Sequence, residues 1–199
     1  MRISKLCVSI PNVGYIKTET VYSMTVALFH TTQKAHCGLH LFFPNGCVLS
    51  DNRNKSAQEA MDMGCSHLMF IDSDVSFPQD GILTLASRDK PVIGANYNMR
   101  TKEGSTVKIA DGKGGFLQVP GDQIPQVPFV AGALATGFML IQTDVFRKIT
   151  KPWFVFEYDE AGDFTRGEDV YFCKKARENG IEVWCDPTVK VGHIGEYTY

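Results

Sequence analysis

Four apolar residues, Leu68 to Ile71, run unbroken into Asp72 and Asp74, two aspartates one residue apart. A short continuous apolar run of this kind reads as a strand buried on both faces of a sheet, and the charges begin where that strand ends. In open α/β sheets ligands sit at the carboxyl ends of the parallel strands, so Asp72 and Asp74 are expected where a substrate can reach them. Two carboxylates held so close repel each other, and a hard divalent cation, Mg²⁺ or Mn²⁺, is the simplest relief. Such a cation would in turn hold a phosphate. Asp-x-Asp by itself also occurs in ordinary loops, so the weight falls on the buried run before it and on partners elsewhere in the chain.

Strand and helix patterns alternate around that run. Leu6 to Ile10 reads as a strand stopped by Pro11-Asn12, and Val21, Met24, Val26, Leu28 and Phe29 set out one helical face between Thr18 and Phe29. Gly38 to Phe43 is a second strand, ended by Pro44-Asn45-Gly46. A helix then runs from Asp51 or Asn52 to Met63, with Gly64 suited to a left-handed cap. Past the aspartates, Pro78 and Asp80 open a helix over 79–87, and Pro91 to Ala95 is another short buried strand. This alternation predicts one mainly parallel, Rossmann-like α/β sheet flanked by helices, with right-handed crossovers.

The pattern breaks over 99–127, where Gly, Pro, Lys and Asp residues predict a long loop or hairpin excursion of the kind used as a lid or binding element. Ala131 to Gln142 resumes as a glycine-punctuated apolar strand centred on Thr136 to Ile141, followed by a short helix over 144–149. Gly167-Glu168-Asp169 opens a further helix, with Val170, Cys173 and Ala176 on one face, Lys174, Lys175 and Arg177 late, and Gly180 as its stop. Acids at the start and bases at the end complement the helix dipole, which suffices to explain these charges without any chemistry. Ile181 to Asp186 is the last long strand, and Val189 to Val191 leads into Gly192-His193-Ile194-Gly195. A histidine between glycines at a strand end is free to point into a site.

At 199 residues, 44% hydrophobic and 21% charged, the chain is expected to be one globular domain, 1–199. A net charge of −2 with both signs interspersed gives no electrostatic footprint for nucleic acid or anionic membrane, although the lysines over 100–115 could serve a local contact. Without a long apolar span or a basic-then-apolar leader, the expected location is the cytoplasm. The six cysteines show neither a Cys-x-x-Cys pair nor zinc-type spacing and are read as free thiols, in keeping with a reducing compartment.

Taken in order, Phe70-Ile71-Asp72-Ser73-Asp74, Ala135-Thr136-Gly137-Phe138-Met139-Leu140-Ile141 with Val145-Phe146, Gly167-Glu168-Asp169-Val170-Tyr171-Phe172-Cys173 and Gly192-His193-Ile194-Gly195 resemble the GT-A-type glycosyltransferases. The closest likeness is to small family-two-like members of phages and bacteria, and it extends from about Lys5 to His193. The resemblance implies a GT-A fold and a metal-dependent transfer of a sugar from a nucleotide-diphosphate donor, by default a UDP-sugar, to an acceptor hydroxyl. It assigns Asp74 to the metal, Mn²⁺ or Mg²⁺, with Asp72 near the ribose or reaching the metal through water, and His193 completing the shell. Ser73 falls inside the same donor-binding loop. Pro11-Asn12 corresponds to the nucleoside edge, Arg53 to an arginine near the base or diphosphate, and Thr136-Gly137 to the loop beside donor sugar and acceptor. Asp169, with Glu168 next, is implied as the general base of an inverting reaction, although the same fold also hosts retaining enzymes. The implied acceptor is a glycan, a lipid-linked sugar, a protein side chain or a modified nucleobase.

The chain departs from the family at its second strand, which lacks an Asp-Asp-Gly-Ser type ending and offers Pro44-Asn45-Gly46 and Ser50-Asp51-Asn52. It also ends six residues after His193, so it is expected to be a minimal member or part of a larger protein. Two other readings stand beside the transferase. Asp72-Ser73-Asp74-Val75-Ser76 also resembles the nucleophile motif of haloacid-dehalogenase-type phosphatases, but that motif normally sits on the first strand and needs a later lysine and acidic pair. A non-catalytic nucleotide-sugar-binding domain would keep the fold, and Asp74, Asp169 and His193 argue against it.

Overall fold

The computed structural model describes residues 3–98, 104–112 and 115–195. Strand β1 (Lys5–Ser9) is followed by α1 (Thr18–Ala35), β2 (Gly38–Phe42), α2 (Leu49–Asp62) and β3 (His67–Ile71). Every residue of β3 is buried, as an unbroken apolar run requires. The first helix outlasts its apolar face and stops at His36, whose left-handed backbone (φ 48°) lets its N–H reach the Thr32 carbonyl. A two-residue strand, β4 (Val75–Ser76), precedes α3 (Gly81–Ser87) and β5 (Val92–Gly94). Within the glycine-rich excursion, β6 (Lys108–Ala110) and β7 (Phe116–Gln118) pair antiparallel, and β8 (Phe129–Ala131) follows. The chain continues through β9 (Phe138–Gln142), α4 (Asp144–Lys148), a hairpin of β10 (Glu157–Tyr158) and β11 (Phe164–Arg166), α5 (Glu168–Glu178), β12 (Val183–Cys185) and β13 (Gly192–His193).

Seven strands form the central sheet in the order β2-β1-β3-β9-β5-β12-β8. Five of them, β2, β1, β3, β5 and β12, run in one direction, while β9 lies antiparallel between β3 and β5 and β8 is an antiparallel edge. Of the segment from Ala131 to Gln142, expected as one strand, only the ends are strand: Ala131 closes β8 at the sheet's edge, and Phe138–Gln142 forms β9 at its centre. The reason is topological. A parallel return needs a crossover across the sheet, usually a helix. No helix intervenes between β5 and β9 among the described residues apart from one turn of 3₁₀ helix at Gly121–Gln123. The chain re-enters the sheet at the edge where β5 left it, and so runs back.

The two faces carry separate apolar clusters. On one, α2, α4 and α5 pack Ala57, Phe146 and Phe172 against Phe70 and Met139. Phe172 stacks on Phe154 at 4.8 Å between centroids and lies 5.9 Å from Phe146. On the other, α1 and α3 bring Leu28, Ile82 and Leu85 against Val8, Met69, Ile71 and Phe138. Among the described residues all six cysteines are free, and no helix is long and apolar enough to cross a membrane.

Because Phe172 is fully buried in an aromatic cluster that cannot collapse around a void, Phe172→Ala is expected to cost about 3–5 kcal/mol. Urea unfolding checks this: the midpoint should fall while the slope stays constant.

Candidate active site

At the carboxyl end of β3 the chain is tied down on all sides. The Asp72 N–H donates to the Gly137 carbonyl at 2.9 Å, which locks the end of β3 to the start of β9. The approach is so close that a Cβ at Gly137 would fall on Tyr97 Oη and Asp72 Oδ2, so only glycine fits there. The Ser73 carbonyl accepts from the Lys17 N–H at 2.8 Å and from Thr20 Oγ1 at 3.2 Å, fixing the start of α1 beneath the Asp-x-Asp turn. β13 pairs with β4, placing His193 opposite Val75, and the Ile194 N–H donates to the Asp74 carbonyl at 2.7 Å. As a result His193 Nε2 stands 3.4 Å from Asp74 Oδ2, although the two residues are far apart in the sequence.

The second constellation is held by Arg53. Its side chain points inward from α2 and is only 2% exposed. Nη2 donates to Asp72 Oδ1 at 2.9 Å, Nε donates to Glu168 Oε1 at 3.0 Å, and the guanidinium lies 5.2 Å from the Phe70 ring centroid. Burial alone would push the guanidinium's pKa down, but the Asp72 and Glu168 charges more than offset it and raise it above its ordinary value. The resemblance places Arg53 near the base or diphosphate of a donor. In the structure it is buried and joins the Asp-x-Asp turn to the start of α5. Arg53 Nη1 and Thr136 Oγ1 are both buried without a hydrogen-bond partner among the described residues, and such orphaned groups call for a ligand or water.

Asp169, half-buried beside Glu168, has its pKa raised to about 6, first by burial and then by the Glu168 charge. The Val170 N–H donates to its Oδ1 at 2.6 Å, and Arg53 and Lys108 lower the value in part. Tyr97 sits between the two constellations. It is buried, its ring meets the His193 ring edge-on at 5.7 Å, and its hydroxyl pKa is pushed well up by burial and then by the Asp72 charge. Sequence patterns missed both Tyr97 and Lys108. Tyr97 closely follows β5 and could have been found, since strand carboxyl ends are where ligands gather. Lys108 comes from the excursion and carried no such signal.

Of the residues singled out from sequence, Asp72, Arg53, Glu168 and Gly137 are joined by direct contact or hydrogen bond, and Asp74 faces His193. Asp169 and Ser73 adjoin these groups in the chain, and Thr136 precedes Gly137. Pro11 is buried, and the Asn12 amide is committed to its own loop: Nδ2 donates to the Ile10 and Pro44 carbonyls and Oδ1 accepts from the Gly14 N–H.

No protein-family model matches the sequence, and no curated protein does. Solved structures match across almost the whole chain. GalNAc-T7 with UDP, GalNAc and Mn²⁺ superposes with a TM-score of 0.65 at 14% identity, covering 98% of this chain and 44% of that one. A197 from STIV gives 0.61 at 17% identity, covering 98% and 87%. Residues 1–349 of TarS from S. aureus give 0.53 at 15% identity, covering 96% and 60%. The fold is that of the GT-A glycosyltransferases. The chain thus spans less than half of the GalNAc-T7 chain and about three-fifths of the TarS chain.

Within this GT-A fold the donor set suits a hard divalent ion. No group of three His, Cys, Asp or Glu gathers among the described residues, but Asp74 and His193 offer one carboxylate and one imidazole side by side. Mg²⁺ and Mn²⁺ sites that work on phosphates commonly use one or two protein groups and leave the other positions to water and to the substrate's phosphates. The imidazole favours Mn²⁺ over Mg²⁺.

Arg53→Met would leave Asp72 and Glu168 without their common cation and is expected to destabilise the fold by about 3–5 kcal/mol, read from urea midpoints. Gly137→Ala is expected to displace Tyr97 and Asp72 together. A crystal structure of the variant should show both side chains moved, with the rest of the fold unchanged.

Proposed function

We propose that this chain is a glycosyltransferase that moves a sugar from a nucleotide-diphosphate donor, a UDP-sugar in the first instance, to an acceptor hydroxyl with inversion at the anomeric carbon. The observation that carries this reading is the pairing of two acids with opposed environments. Glu168 is held by Arg53, which also holds Asp72 of the Asp-x-Asp turn, while the next residue, Asp169, is left poised to take a proton. The GalNAc-T7 neighbour, whose structure contains UDP, GalNAc and Mn²⁺, supports a donor and metal of this class.

In this reading Asp74 and His193 hold the cation, which when bound neutralises charge developing on the leaving diphosphate. Asp72, immobilised by Arg53 and by its backbone bond to Gly137, presents a fixed carboxylate edge to the donor. Asp169 accepts the proton of the acceptor hydroxyl as that oxygen bonds to the anomeric carbon. The bond from that carbon to the diphosphate oxygen breaks, and its electron pair leaves with the diphosphate. A phosphatase mechanism with Asp72 as nucleophile is less well served, because Asp72 Oδ1 is already bonded to Arg53.

Two experiments test this. In thermal-shift assays with Mn²⁺ and UDP, GDP, CDP or dTDP, one diphosphate should stabilise the protein, by about 2.7 kcal/mol at a hundred times its dissociation constant, and Asp74→Ala should abolish the effect. Stabilisation by beryllofluoride with Mg²⁺, and by no nucleoside diphosphate, would sink the transferase in favour of the phosphatase. In the second, the transfer rate should rise with pH through about 6 and level off above it, because only ionised Asp169 accepts a proton. Asp169→Asn should lower the rate about 10²–10⁴-fold. Stability should respond with the opposite sign. The folded carboxyl binds its proton more tightly than the unfolded one, so its ionisation destabilises the fold as pH rises from the ordinary carboxyl value of 3.8 to about 6. Asp169→Asn should therefore melt higher than wild type above pH 6.

A further inference from the structure

The hairpin of β10 and β11 runs directly into Gly167-Glu168-Asp169 and takes no part in the chemistry described above. Its residues suit neither a core nor an ordinary solvated turn. Tyr158 and Phe164 are 61% and 60% exposed, pair across the hairpin, and meet edge-on at 6.0 Å. Phe156 adds a third ring, 6.3 Å from Phe164. Exposed aromatic clusters of this kind mark binding surfaces, since each ring left in water forgoes its burial.

The hairpin's turn is braced by its own hydrogen bonds. Asp159 Oδ1 accepts from the N–H groups of Ala161 and Asp163 at 3.0 and 2.9 Å, the Gly162 N–H donates to the Asp159 carbonyl at 3.0 Å, and Gly162 takes the positive φ (+88°) that the turn needs. Arg166 and Glu157 form an ion pair at its neck. Rings mounted on a fixed turn lose little entropy on binding.

Charge removes the anionic candidates from the ligands that such rings could take. Between Tyr158 and Phe164 lie the exposed acids Asp159, Glu160 and Asp163, and no lysine or arginine. A polyanion such as nucleic acid, a phosphorylated polymer or an anionic lipid headgroup would meet repulsion there. A neutral sugar ring would not: its polarised C–H face is drawn to the negative face of an aromatic ring, and its hydroxyls can donate to the carboxylates.

We infer that the 157–166 hairpin is a platform for neutral saccharide, stacked on Tyr158 and Phe164, and that it seats the acceptor beside Asp169. The role as acceptor rests on the transferase reading, whereas saccharide binding at the hairpin stands without it. Arg166, which closes the hairpin by its ion pair with Glu157, stands three residues before Asp169 in the chain, and this short connection is what places the platform at the approach to the base.

The test is saturation-transfer NMR on the full chain with maltohexaose, cellohexaose and chitohexaose, and with oligogalacturonate, single-stranded DNA and a serine-rich neutral peptide as contrasts. At least one neutral oligosaccharide should bind, and Tyr158→Ser/Phe164→Ser should weaken it by about tenfold or more. Both side chains are largely exposed, so this variant should melt with wild type and keep its Mn²⁺-dependent diphosphate stabilisation. Phe164→Leu keeps apolar bulk without the aromatic face and should also bind weakly. The inference falls if no neutral oligosaccharide binds, if binding survives either change, or if only the peptide or an anionic contrast binds. Absent saccharide binding with intact diphosphate stabilisation would overturn the platform and leave the transferase standing. Hairpin-dependent saccharide binding without any diphosphate stabilisation would keep the platform and remove its role as acceptor site.

Discussion

A single buried cation joins the two halves of this site. Arg53 places its charge between Asp72, at the end of a central strand, and Glu168, at the start of a helix 115 residues away. A guanidinium inside an apolar core is tolerable only when carboxylates meet it, and each carboxylate is tolerable there only because of the guanidinium. Loss of Arg53 strands both carboxylates, whereas loss of either carboxylate leaves the guanidinium paired with the other. Their mutual dependence also sets the geometry. Three side chains from α2, the β3 turn and α5 meet within hydrogen-bonding distance, so the Asp-x-Asp turn and the helix that carries Asp169 are held in one register.

The reversed strand β9 does the corresponding work for the backbone. Running against β3 and β5, it begins at the edge where those strands end, and it delivers Thr136 and Gly137 against Asp72. A parallel strand in that place would end at this edge and leave it with a continuing loop. The antiparallel entry leaves a tight turn, where the absent side chain of Gly137 lets Asp72 and the Tyr97 hydroxyl approach together. The small β4–β13 sheet is built on the same economy, using two residues from each strand to set His193 beside Asp74.

Much of this was legible in the sequence because burial and chemistry share a boundary there. The run Leu68 to Ile71 is fully apolar and fully buried, and the first polar residues after it lie at the sheet edge. What local patterns could not carry is direction and depth. Phe138 to Ile141 reads the same whether the strand runs up or down the sheet, and only the missing crossover decides it. Likewise Arg53 stands among polar residues of a helix, Asn52, Asn54 and Lys55, where an arginine ordinarily faces solvent. It is buried because its partners arrive from 19 and 115 positions away, and no local period records that. Tyr97 is hidden for a similar reason, its contacts being with His193 and Gly137 rather than with neighbours in the chain.

The same bridge explains why two adjacent acids at one helix start come to differ. Helix geometry puts Glu168 and Asp169 in the first turn of α5, where the dipole favours both as anions. Arg53 reaches Glu168 with a direct hydrogen bond and leaves Asp169 to a longer-range attraction. Burial, and after it the neighbouring Glu168, moves the Asp169 carboxyl up to about 6. The helix terminus alone would have supplied two ordinary carboxylates. An arginine bonded to only one of them ties the first down and leaves the second, raised to about 6, in a different environment, which is the asymmetry that the proposed base role of Asp169 uses.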